Sequence, residues 1–260
     1  MKKTKQNDQP FFVGYLSTPP ALRKFYIPLV ILLMVACAFF GYSLANSQKT
    51  TGPAQWLTAN PQTIQGLIKL QPYPVLHRFN PEAPDEVESI LLVAQGKHSA
   101  GKFVTDLDGE MVDVTGFPIY RGGWSMLELR SKDDVQLVKT ASQAQGHWDR
   151  LRSKTQVTSL GEIDFSGEVA DSKCFLGVMK PGEGVVHRAC AEVCLIGGLP
   201  AMLLVEGDDQ QRYGYMLTTD EGESASHIVA MHAGDVMQVS GELMQKGSLL
   251  YIKIQQTTRL

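Results

Sequence analysis

Cys174, His187, Cys190 and Cys194 share one stretch, SKCFLGVMKPGEGVVHRACAEVCLIGGLP, at residues 172–200. Thiolate sulfur and imidazole nitrogen are the donors that zinc and softer metals take, and three cysteines with one histidine form a recognised tetrahedral set. Lys180-Pro181-Gly182-Glu183-Gly184 reads as a turn, residues 185–196 as three helical turns, and Gly197-Gly198 as their C-terminal stop. On such a helix His187, Cys190 and Cys194 are i, i+3 and i+7. At about 100° per residue they fall within about 60° of one another and share one stripe. Cys174 arrives from upstream as a fourth donor.

Other chemistry fits the same residues. One disulfide among Cys174, Cys190 and Cys194 would leave the third thiol free, and a redox-active pair is a further reading. The C-x-x-x-C spacing is neither the C-x-x-C of thiol oxidoreductases nor the C-x-x-C-H of haem attachment. The paired Cys and His pattern of a Rieske centre is missing too, so the cofactor candidates are zinc or an iron–sulfur centre of another kind. Lys173, Lys180 and Arg188 flank the loop and would favour thiolate wherever they face a sulfur. The segments DSKCFLGVMKPG and HRACAEVC resemble those of uncharacterised bacterial membrane-anchored proteins. That resemblance implies an anchor and brings no activity with it.

Elsewhere the chain holds no phosphate-binding G-x-x-x-x-G-K-[ST], no G-x-S-x-G elbow and no H-E-x-x-H pair. His77, His98, His147, His227 and His232 are dispersed, and no nucleophile stands with a base. An enzyme is therefore the reading with least support, behind a metal or electron-transfer site and a binding module.

The 260 residues carry 24 Lys+Arg against 27 Asp+Glu, a net of −3 that gives no sign of nucleic-acid binding. The average hides a division. Lys2, Lys3, Lys5, Arg23 and Lys24 face only Asp8 in residues 1–24, leaving 19 basic and 26 acidic residues, net −7, for the remainder. Residues 25–48 contain no charge, and about 20 such residues cross a bilayer as helix. The positive-inside rule then puts a basic tail, 1–24, in the cytoplasm of a bacterial inner-membrane protein and the bulk of the chain in the periplasm. Ser43-Leu44-Ala45 has the small-x-small form of a signal cleavage site, but 24 residues make a long n-region, and the expectation is an uncleaved anchor. Outside the cytoplasm thiols meet oxidising conditions.

Behind the anchor the composition turns to β. Residues 49–60 read as a linker, 61–130 as a first β domain, 131–154 as a helical connector and 155–260 as a second β domain interrupted by the Cys/His loop, 172–200. Within the first, 61–70 reads as a short helix from the spacing of Ile64, Leu67 and Ile68, with 89–95 and 102–105 as strands. Ser131 and Asp134 have capping-box spacing. Residues 109–129 and 234–254 match without gaps at Gly109/Gly234, Val114/Val239, Gly116/Gly241, Arg121/Lys246 and Gly122/Gly247, the mark of a duplicated hairpin. In the second domain strands at 160–170, 201–205 and 212–218, a helix at 223–231 and two strands in 234–254 give an element order that resembles the OB-fold barrel. The fold expected is mainly β: a transmembrane helix, then two small OB-like barrels with short helices. Expected partners are the membrane and other membrane or periplasmic proteins, with no nucleic acid. The expected role is that of an accessory protein in a membrane redox or metal-handling complex. The alternative is a non-redox binding module, for a partner protein or an envelope polymer, with its loop stapled by a disulfide.

Overall fold

Strands that are apolar on one face, broken by glycine and joined by tight turns, bury that face most completely by curling into a barrel. The computed structural model, which describes residues 19–47, 52–138, 145–208 and 211–260, shows this twice. In the first barrel β2 (Gln62–Lys69), β3 (Val75–Phe79), β4 (Val87–Ala94), β5 (Met111–Arg121) and β6 (Trp124–Leu129) close in the order β2-β3-β4-β6-β5, with β4 and β6 parallel. In the second β8 (Thr158–Asp171), β9 (Ala201–Glu206), β10 (Arg212–Thr218), β11 (Val236–Lys246) and β12 (Leu249–Arg259) close in the order β8-β9-β10-β12-β11, with β10 and β12 parallel. Five strands closed in this order, with a short helix between the third and fourth, form the OB-like barrel that the element order suggested. That helix is α2 (Gly101–Val104) in the first barrel and α5 (Ser226–Val229) in the second.

The duplication is longer than the matched hairpin. At the offset that pairs Gly109 with Gly234, isolated bridges recur at Val93–Ser99 and Thr218–Ser224. Ser99 Oγ accepts from Gly101 N as Ser224 Oγ accepts from Ser226 N. Gly109 N donates to Ile68 O, and Gly234 N donates to Val169 O in the same way. A Cβ on Gly116 would come within 2.7 Å of Glu128 O, and one on Gly241 would strike Lys253 O. Both positions are glycine because the fifth strand crosses there at backbone contact.

Some local expectations are corrected. Residues 61–70 form β2, not a helix: Leu67 and Ile68 are both buried, so neighbours on opposite faces imitate helical spacing. Residues 102–105 fall in α2 and its end rather than in a strand. In the linker, Ala54–Trp56 is strand β1, paired with Arg121–Ile119 of β5. The connector holds the capping box at Ser131 and Asp134, but Val135–Leu137 is strand β7 on β5, and among the described residues of the connector helix α3 covers Gln145–Lys154. Parts of the expected tail, transmembrane helix, linker, connector and second β domain, at 1–18, 48–51, 139–144 and 209–210, lie outside the described residues.

The chain divides into two compact units, 1–50 and 51–260. The first contains helix α1 (Pro20–Ser47), whose segment Leu22–Asn46, of mean hydropathy 2.3, is long and apolar enough to cross a membrane. In the second the two barrels share a core. Val75, Leu91 and Met126 of the first barrel pack with Met202, Met216 and Leu249 of the second. Tyr73, in the β2–β3 turn, donates to Leu217 O at 2.5 Å, and Ser89 and Ser248 exchange two backbone-to-hydroxyl bonds of 2.9 Å.

Across this junction runs a buried ion pair. Lys173 Nζ donates to Glu128 Oε1 at 2.7 Å, Ala94 O at 2.8 Å and Gly96 O at 2.9 Å, using all three ammonium protons. The two side chains are only 2% and 6% exposed. Lys173→Met therefore strands a buried carboxylate and is expected to cost about 3–5 kcal/mol in denaturant unfolding of the full chain in detergent. The double variant Lys173→Met/Glu128→Leu should cost less than the single one; equal or greater loss would show that the charges themselves stabilise the junction.

Candidate functional site

The Cys/His loop is not a surface excursion. It leaves β8 at Asp171, turns through a short helical segment, Cys174–Val178, and returns through a 3-10 turn, Val185–His187, into helix α4 (Arg188–Ile196). Cys174, Phe175, Leu176, Cys194 and Leu199 belong to the core shared by the barrels. The helix keeps Cys190 and Cys194 one turn apart, while His187 stands at its N-terminal boundary, so the stripe is assembled from a 3-10 turn followed by an α-helix. The Gly197-Gly198 stop is present, with Gly198 at φ 81° and Gly197 N bonded to Val193 O at 3.0 Å. A side chain at Gly197 would run into the carbonyl of Lys97; glycine lets the β4–α2 turn of the first barrel lie against the end of α4.

Cys174, His187 and Cys190 offer ligand atoms within 4.8 Å of one another, and so do Asp171, Cys174 and Cys194. The four expected residues are thus brought together, with Cys174 common to both groups. Cys174 Sγ and Cys194 Sγ are 3.9 Å apart. A tetrahedral ion with metal–sulfur distances of about 2.3 Å separates its ligands by about 3.8 Å. A disulfide needs sulfurs about 2 Å apart, and all three thiols here are free. Cys174, Cys194 and His187 are buried, and Cys190 is half-buried.

Two members of the site escaped the sequence reading. Asp171 is fully buried; its Oδ1 accepts from Cys174 N at 2.9 Å and its Oδ2 lies 3.2 Å from His187 Nε2. The spacing Asp-x-x-Cys at a strand end is that of an N-terminal helix cap, which is how Asp171 could have been found. Holding one imidazole nitrogen on a carboxylate is the usual outer support of a ligating histidine. Lys97, in the first barrel, donates from Nζ to Cys190 Sγ at 2.8 Å and to Cys190 O at 3.1 Å, with Cys194 Sγ at 3.6 Å. Nothing local to Gln95-Gly96-Lys97 announces this, because the contact exists only once the barrels have docked. Two of the three flanking cations are otherwise engaged: Lys173 is in the interbarrel ion pair, and Arg188 pairs with Asp235.

These contacts divide the protons. The hydrogen bond between Cys174 and Cys194 pushes the Cys174 thiol up, helped by burial and Asp171, and pulls Cys194 down, with the Lys97 charge assisting against desolvation. Burial pulls Lys97 down, but its bond to Cys190 and the neighbouring sulfurs outweigh this and raise it. The hydrogen bond to Asp171 raises His187 above its ordinary 6.5, against desolvation. Without metal, these contacts favour the thiolate form of Cys194 beside Lys97 and the protonated form of His187 beside Asp171.

Because the folded-state pKa of His187 is raised, its pairing with Asp171 stabilises fully below pH 6.5 and fades as pH rises through the raised value. Asp171→Asn is expected to move the His187 titration down, followed by NMR of the imidazole protons in the metal-free chain. An unmoved titration would remove the pair from the account.

No protein-family model matches the chain, and no curated protein matches it. Among solved structures, it is similar to a deletion mutant of the single-stranded DNA binding protein from Thermus aquaticus, at 9% identity and a TM-score of 0.23, covering 82% of this chain and 89% of that one.

Proposed function

We propose that this protein is a membrane-anchored periplasmic accessory module of a redox or metal-handling complex, and that it holds one thiophilic metal ion on Cys174, His187, Cys190 and Cys194. The observation that carries the reading is that Cys174 has the ligand atoms of His187 and Cys190 within 4.8 Å in one group and that of Cys194, with Asp171, within 4.8 Å in another. Three cysteines with one histidine form a recognised donor set for a single tetrahedral ion such as zinc. The uncharged helix and the basic residues before it support the anchor and an exported bulk of net −7, which also argues against nucleic acid as a partner. The partners proposed are the membrane and other membrane or periplasmic proteins.

Full-length chain purified in detergent under reducing conditions is expected to bind about one zinc per chain. Cys174→Ser, Cys194→Ser and His187→Ala should each lose most of it, read by metal analysis beside thiol titration. No metal together with one disulfide would instead support the binding-module reading, which the 3.9 Å approach of Cys174 and Cys194 keeps available. For the topology, a C-terminal alkaline phosphatase fusion should be active and stay with the membrane fraction; an inactive fusion would overturn the periplasmic placement.

A further inference from the structure

The three thiols are not equivalent, and the metal reading alone does not account for their differences. Cys174 and Cys194 are the closest sulfur pair, 3.9 Å apart and sealed in the core between the barrels. Cys190 is half-buried, lies within 4.8 Å of Cys174, and has the Lys97 ammonium 2.8 Å from its sulfur. One thiol is thus half-buried beside a cation, and two buried ones lie within a short movement of bonding to each other.

Resting on the metal reading above, we propose that the centre is redox-gated: a low-molecular-weight anionic disulfide reacts first at Cys190, and the oxidation ends as a Cys174–Cys194 bond that expels the metal. In the loaded site all three cysteines are thiolates. Cys190 Sγ attacks one sulfur of the incoming disulfide, forms a mixed disulfide and releases the first thiolate. Cys174 Sγ attacks Cys190 Sγ, forms Cys174–Cys190 and releases the second thiolate. Cys194 Sγ then attacks Cys174 Sγ, closing Cys174–Cys194 and returning Cys190 as thiolate beside Lys97. Two protein thiolates are oxidised, the external disulfide is reduced to two thiolates, and the cation leaves because half of its ligands are gone. The final pair is set by the environment. A disulfide is neutral and suits the apolar core, whereas Cys190 keeps its ammonium partner only while it remains a thiolate. Lys97 also supplies the charge that draws an anionic disulfide to the one reachable sulfur.

The test uses the zinc-loaded full chain in detergent, treated with glutathione disulfide. Zinc release is followed with a chromogenic chelator, and bonds are mapped by mass spectrometry after alkylation. Zinc should leave in step with Cys174–Cys194 formation, at one ion per bond, while Cys190 ends alkylated. Cys190→Ser, if it still loads zinc, should slow glutathione-driven release at least tenfold yet form the same bond with diamide, a small uncharged oxidant that adds to one thiolate of the Cys174–Cys194 pair and is displaced by the other. Lys97→Met, which leaves every proposed ligand in place, should slow release several-fold with glutathione disulfide and much less with the uncharged disulfide of hydroxyethanethiol. A final disulfide that includes Cys190, zinc kept after Cys174–Cys194 closes, or equal slowing with both disulfides would overturn the gate while leaving the metal reading intact. A chain that never loads zinc overturns both.

Discussion

The bond between Lys173 and Glu128 is the constraint on which the rest of the site depends. Lys173 lies immediately before Cys174, and its ammonium is spent on one side chain and two carbonyls of the first barrel, including Gly96 O. The next residue after Gly96 is Lys97. One buried ammonium therefore fixes at once where the first thiol begins and where the cation over Cys190 comes from. Net stabilisation is a weak argument for such a pair, since desolvation offsets most of the attraction. Its content is positional: a small slip between the barrels would strand the ammonium, so one docking is selected over its neighbours.

Duplication explains why two barrels meet here. The copies share strand order, the short helix between third and fourth strands, and the glycine at which the fourth strand crosses the fifth. They differ in the connection between first and second strands. In the first barrel that connection is a short turn carrying Tyr73, and in the second it is the Cys/His loop. Both pack into the shared core, Tyr73 beside Cys174, Phe175 and Leu199. The candidate metal-binding residues thus sit in the longer of two equivalent connections, at the junction between the barrels.

This history sets what a reader of the sequence can see. Rare residue types identify the site, with His187, Cys190 and Cys194 on one expected stripe and Cys174 upstream of it, and the strands of the second barrel stand out because alternation and turn residues agree there. The first barrel is harder. Ile64, Leu67 and Ile68 suggest a helix because Leu67 and Ile68 are buried on opposite faces of one strand. The tetrapeptide of α2 is too short for any period to show. Asp171 follows the local logic of a cap, but Lys97 depends on a docking that brings together residues 97 and 190, for which no local pattern exists.

The same docking settles the charge of the centre. Without metal, the contacts push the pKa values of Cys174 and His187 up and that of Cys194 down, with Lys97 facing Cys194 and Asp171 facing His187. A divalent cation that takes these ligands needs the sulfurs as thiolates and a free imidazole nitrogen, so it displaces protons from the site and their loss offsets the charge it brings. Cys190 stands at the edge, where Lys97 and water screen whatever it adds. In a cavity of low dielectric a net gain of charge would be strongly opposed. The arrangement of one carboxylate and one ammonium around these donors is thus what makes metal binding compatible with a buried site, and the ammonium is the member that the other barrel must bring.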